Sequence, residues 1–132
     1  TDARSALGLD EALWRIRAFV DLGADILFLE APRNEAEMAA LCAVAPGPKL
    51  ANMLEEGITP ILPPERLAEL GYKIAAYPLT LLSTAVHAMR EALTELKAGR
   101  TPGRRMDFRG IQEIVGFPEY DQMLARLADP PD

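Results

Sequence analysis

Glu30, Asn52 and Tyr77 end three short segments of the same design, and strand ends are where chemistry is most easily done. Each segment has an apolar lead that runs into a polar side chain near its end: DILFLEAP at 25–32 up to Glu30, KLANMLEEG at 49–57 up to Asn52 and YKIAAYP at 72–78 up to Tyr77. Such a run reads as a buried parallel strand whose last residue surfaces. Three strands delivering a polar group at the same end imply one shared site. Glu30 and Asn52 are its most capable members, an acceptor carboxylate and an amide that both donates and accepts. Tyr77 and Thr80 are weaker candidates to line it. Structural roles stay open: Glu30 as the ion-pair partner of Arg33 or Lys49, and Asn52 as a loop cap. Glu55 either supports the pair or forms a solvated turn with Glu56.

The elements that must position these groups follow from punctuation and periodicity. Residues 1–8 are small and polar and read as a loop, with Asp10 as the expected N-cap of a first helix that stops at Gly23. A strand at Ile26–Leu29 follows, then a helix capped by Asn34 and broken by Pro46-Gly47-Pro48. The second strand is expected at Leu50–Met53. A proline-rich loop leads to a short helix, Glu65–Leu70, with Pro64 in its first turn and Gly71 closing it. The third strand is Lys73–Tyr77. From Thr80 to Lys97 runs the longest helix, with Leu82, Ala85, Val86, Met89, Leu93 and Leu96 on one stripe. Gly99, Pro102 and Gly103 form a linker, and helical pieces near Phe108–Val115 and Glu119–Leu127 precede a proline-ended tail.

Alternation of helix and strand means parallel strands joined by helical crossovers, an α/β fold. Three such strands close poorly by themselves, because a parallel sheet needs both faces covered. A full eight-stranded barrel takes about 250 residues, against 132 in this chain. The expected architecture is therefore half of a (β/α)8 barrel with three to four parallel strands. Residues 1–98 form that partial barrel and 99–132 a C-terminal helical extension.

Composition narrows the function. The balance of 14 basic and 20 acidic residues gives a net charge of −6, which argues against nucleic acid or an anionic membrane surface as partner. No apolar run reaches membrane-spanning length. One cysteine, Cys42, excludes an internal disulfide and fits a reducing compartment, the cytoplasm. Its small apolar surroundings read as those of a buried, inert thiol rather than a nucleophile. His87, offset from the apolar stripe of the long helix, reads as a surface or interface imidazole rather than a proton-transfer group.

The ordered set GADILFLEAP, KLANMLEEGITPIL, LAELGYKIAAYPLT and the long helix after it resembles the isocitrate lyase/phosphoenolpyruvate mutase superfamily over nearly the whole chain. The opening Thr1-Asp2-Ala3 resembles the end of a family strand motif. The resemblance implies that this is the C-terminal half of a (β/α)8 TIM barrel that binds Mg²⁺ and a small keto or hydroxy acid. It also implies a last barrel helix exchanged between subunits of a homo-oligomer, a dimer or tetramer. The acidic Asp-x-Asp motif, the Glu-Asp pair and the gating loop of the family are absent from these residues. The Mg²⁺ ligands are accordingly expected in an N-terminal half, and the fragment alone is expected to be inactive.

Carried over residue by residue, the resemblance makes Glu30 a substrate-side hydrogen-bonding group. Asn52, with the backbone at Met53 and Leu54, would hold a substrate carboxylate. Ser83 stands where methylisocitrate lyases carry an Arg, and Phe108 where they carry another. Losing two guanidinium groups argues against a tricarboxylate substrate. Phe108 and GFPEY at 116–120 are similar to the branch that holds the petal-death and carboxyvinyl-carboxyphosphonate phosphorylmutase types. That branch implies C–C cleavage of oxaloacetate or 2-alkylmalates through an enolate. Carboxyphosphonoenolpyruvate or phosphoenolpyruvate phosphonomutase chemistry and a non-catalytic assembly module are the alternatives.

Overall fold

The computed structural model describes residues 1–128; the tail at 129–132 lies outside them. The residues pack as two compact units, Thr1–Ala85 and a second beginning at Val86. In the first unit, α1 (Ala3–Leu7) and α2 (Leu9–Asp21) precede β1 (Leu27–Phe28), α3 (Glu35–Val44) and β2 (Lys49–Asn52). Then come α4 (Pro64–Leu70), β3 (Ile74–Ala76) and the start of α5 (Thr80–Lys97). The second unit holds the rest of α5, α6 (Phe108–Ile114) and α7 (Phe117–Ala128).

The three strands form one parallel sheet in the order β1-β2-β3. Sequential parallel neighbours need a crossover, and α3 and α4 supply the two crossovers. The register sets Leu27 against Lys49 and Leu50 against Ile74. Alternation then sorts the side chains into two rows. Leu27, Leu29, Lys49, Ala51 and Met53 are all buried, on the row that faces the helical layer. Phe28, Glu30, Leu50 and Asn52 fall on the other row and are only partly buried. The core between sheet and helices is closed by Ile16 of α2 with Met38 and Leu41 of α3, all fully buried.

Local chemistry explains most boundaries. Asn34 Oδ1 accepts the Glu37 N–H at 2.9 Å and caps α3 as expected. Pro64 starts α4, and Gly71 ends it in the left-handed conformation, φ 107°. Two expectations are corrected at the N-terminus. Residues 1–8 are not a loop throughout, because Ala3–Leu7 form a helical turn whose Ala3 is buried. The Ala, Arg and Leu there are good helix formers. The N-cap of α2 is Gly8 at φ 98°, so Asp10 sits inside the first turn and favours the helix through its charge alone.

In the second unit α6 and α7 pack on each other, and Asp107 caps α6 by accepting the Gly110 N–H at 2.7 Å. No residue of α5, α6 or α7 is buried. Among the described residues no helix is long and apolar enough to cross a membrane.

Candidate functional site

The site is built at the ends of β1 and β2. Extending the register by two residues places Glu30 beside Asn52 on the open row, and the side chains meet: Asn52 Nδ2 donates to Glu30 Oε2 at 3.4 Å. Both are partly buried. The amide keeps a second N–H and its carbonyl for a ligand, and the carboxylate keeps its remaining lone pairs. Neither alternative ion pair forms among the described residues. Lys49, only 3% exposed, turns its ammonium away to Ala45 O and to Gly47 O, the latter at 2.8 Å. It thereby satisfies carbonyls at the C-terminal end of α3. Arg33 lies exposed, and its backbone N–H reaches Glu37.

The main chain after Asn52 divides its work. Met53 donates its N–H to Ala76 O at 2.8 Å, and its side chain is fully buried on the helical row. That amide is spent in the sheet, so the expected donation from the Met53 backbone is open only at Leu54. Leu54 O accepts the Gly57 N–H at 3.1 Å, closing a turn with Glu56 left-handed at φ 62°. Thr80 Oγ1 donates to the Glu55 carboxylate, and this bond, with a backbone N–H, lowers the Glu55 pKa from the ordinary value. Glu55 thus ties the loop after β2 to the first residue of α5.

Tyr77 corrects the expectation of a three-residue mouth. Carrying the β2–β3 register one residue further pairs it with Met53, the row opposite Glu30 and Asn52. The candidate rim is therefore Glu30, Asn52 and the Leu54 backbone.

A polar knot behind β1 went unread in the sequence. Arg4 grips Glu37 with both ends of its fork, Nε to Oε2 at 2.7 Å and Nη2 to Oε1 at 2.6 Å. Glu37 Oε2 also accepts the Arg33 N–H at 3.0 Å. The Arg4 bond chiefly holds the Glu37 carboxyl down at about 2. Asn34 as the cap, with Glu37 in the first turn that follows it, was the legible part of this signal.

Cys42 is half-buried against the core, and burial raises its thiol pKa, as suits an inert thiol. His87 is an exposed imidazole 3.5 Å from Glu91. Among the described residues no three His, Cys, Asp or Glu side chains converge to hold a metal ion. One carboxylate and one amide make a poor cage for a hard cation, which wants several oxygen ligands. The residues here do not fit Mg²⁺ by themselves.

Residues 2–97 match the model of the phosphoenolpyruvate phosphomutase family. The chain is 41% identical over 124 residues to 2,3-dimethylmalate lyase of Eubacterium barkeri, covering 94% of itself and 41% of that protein. It is 34% identical to the petal death protein of Dianthus caryophyllus, over 95% of itself and 38% of that protein. Identity reaches 40% with a probable 2-methylisocitrate lyase of Corynebacterium glutamicum, again over 92% and 41% of the two chains. The crystal structure of 2,3-dimethylmalate lyase superposes with a TM-score of 0.86 at 33% identity, over 96% of this chain and 46% of that one. A structure of oxaloacetate acetylhydrolase with the product oxalate gives 0.88 at 30% identity, over 98% and 46%. The chain thus spans less than half the length of these relatives. A match running unbroken through both crossovers and all three strands makes the chain a member of the phosphoenolpyruvate phosphomutase family, within the isocitrate lyase/phosphoenolpyruvate mutase superfamily.

Proposed function

We propose that this chain is the substrate-facing C-terminal half of a C–C bond lyase acting on small 2-hydroxy or 2-keto dicarboxylates of the oxaloacetate or 2-alkylmalate type. The observation that carries the reading is the Glu30–Asn52 contact on the open row of the sheet. Asn52 and the Leu54 N–H would donate to a substrate carboxylate, and Glu30 would accept from a substrate hydroxyl. Neutral donors suit a mono-anionic end without over-binding it. Mg²⁺, where the whole enzyme employs it, would polarise the oxygens of the developing enolate. Its ligands would lie outside these residues.

Relatives named for dimethylmalate, methylisocitrate and oxaloacetate support cleavage, and one named a carboxyvinyl-carboxyphosphonate phosphorylmutase supports phosphoryl migration. The family description favours a second reading, phosphonomutase chemistry. Ser83 and Phe108, in place of the expected guanidinium groups, favour a dicarboxylate over a tricarboxylate. The uncovered apolar stripes of α5, α6 and α7, with Leu93 64% and Phe108 78% exposed, support association with a second copy through exchanged helices. A cytoplasmic setting fits the single half-buried thiol.

The test replaces the corresponding half of 2,3-dimethylmalate lyase with this chain and follows cleavage of oxaloacetate and 2,3-dimethylmalate. The chimera is expected to turn over at least one, and Asn52→Ala to raise KM by about tenfold, the worth of one hydrogen bond to a charged group. The 132-residue chain alone is expected to show none. Turnover by the chain alone, or a folded chimera that converts only phosphoenolpyruvate, would refute the reading.

A further inference from the structure

Ala31, directly after Glu30, has φ 57°, a left-handed conformation that residues with a Cβ rarely hold. It also precedes Pro32, which disfavours helical backbone at that position still further. Yet Ala31 is only 8% exposed, so no solvent-facing loop excuses the strain. Such a conformation persists where the surroundings over-determine it, and here they do so from both sides. Upstream, the Thr1 N–H donates to Phe28 O at 2.8 Å and the Glu30 N–H to Thr1 O at 3.0 Å, pinning the Glu30 backbone. Downstream, Glu37 holds the Arg33 N–H at 3.0 Å and is itself clamped by Arg4.

We infer that Ala31 is a positioning residue: its left-handed turn, held by the Arg4–Glu37–Arg33 clamp, sets the Glu30 carboxylate opposite the Asn52 amide. An extended residue at 31 would send the chain onward along β1. Pro32 and Arg33 could not then turn back to the Glu37 carboxylate while Glu30 kept its place beside Asn52. The inference gives the proposed substrate rim its aim and rests on that reading for its purpose. Its geometry is testable without turnover.

The readout is the side-chain amide pair of Asn52 in nitrogen-15 NMR spectra of the full chain. Glu30→Gln should displace that pair, since the contacting carboxylate becomes an amide. Ala31→Gly, which suits a positive φ, should keep the displacement. Ala31→Val, a β-branched residue that resists it, should abolish it. Simple packing predicts the reverse order, because the smaller residue would loosen the site and the larger one fill it. Glu37→Gln leaves residues 30, 31 and 52 intact and should weaken the displacement, which keeps the inference decidable if Ala31→Val does not fold. A displacement that survives Ala31→Val, vanishes in Ala31→Gly or is unchanged by Glu37→Gln overturns it. The lyase reading could fail in the chimera with all of these results intact.

Discussion

Glu37→Gln is the sharpest single perturbation of the fold behind the rim. The two side chains of the Arg4–Glu37 pair are only 12% and 13% exposed and are joined by two short charge-assisted bonds. The Glu37 carboxyl lies at about 2 against an ordinary 4.5. At about 1.36 kcal/mol per pH unit, that depression bounds its contribution at about 3 kcal/mol. The neutral amide keeps one acceptor oxygen for the three donors that the carboxylate served, and some solvent reaches the pair. A loss of about 2 kcal/mol at neutral pH is therefore expected, in keeping with breaking one partner of a shielded pair. The sign with pH follows from the direction of the depression. The folded carboxyl is the more acidic, so its stabilisation is whole above 4.5 and is lost as the pH falls through the interval down to about 2. Urea titrations of both proteins, followed by Trp14 fluorescence within the first unit, should give curves that converge on acidification. A gap that is the same at neutral pH and at about pH 2.5 would refute the ion-pair reasoning, as would no gap at neutral pH.

Two further substitutions probe the same unit. Lys49→Met removes the ammonium that satisfies Ala45 O and Gly47 O while keeping the apolar stem. It should cost about 2–4 kcal/mol in the same titrations, since two carbonyls lose their partner; a neutral result would mean that water replaces the ammonium. Gly71→Ala combines a φ of 107° with a Cβ only 3.2 Å from Cys42 Cβ. A loss of at least about 1 kcal/mol is expected, and a thermal midpoint equal to wild type would contradict the tight packing of α4 on α3.

Much of this architecture was legible because its signals are local. Pro64, Gly71 and Asn34 each act on the backbone within a turn of themselves, and α5 came out at Thr80–Lys97 as its stripe required. The Glu30–Asn52 contact was readable because both residues end apolar runs, and parallel strands in register bring such ends together. Tyr77 escaped for the complementary reason. Strand period is two, so counting one residue too far along β3 moves a side chain to the opposite face, and the sequence does not mark where pairing begins. The Arg4–Glu37 pair joins residues 33 apart, and nothing local to Arg4 names its partner. Ala31 was invisible for another reason: an alanine carries no sequence mark of left-handed backbone, as a glycine would.

The hydrogen bonds of Thr1 carry a practical lesson. Its N–H and C=O bracket Leu29 in the pattern of a parallel neighbour, one bond to Phe28 O and one from the Glu30 N–H. A peptide joined ahead of Thr1 would continue that ladder alongside Phe28 and then Leu27, towards the N-terminal end of β1 and away from the Glu30 carboxylate. A purification tag fused there would meet the open edge of β1 before it met solvent, so its strand propensity would bear on the stability of the sheet rather than on the rim.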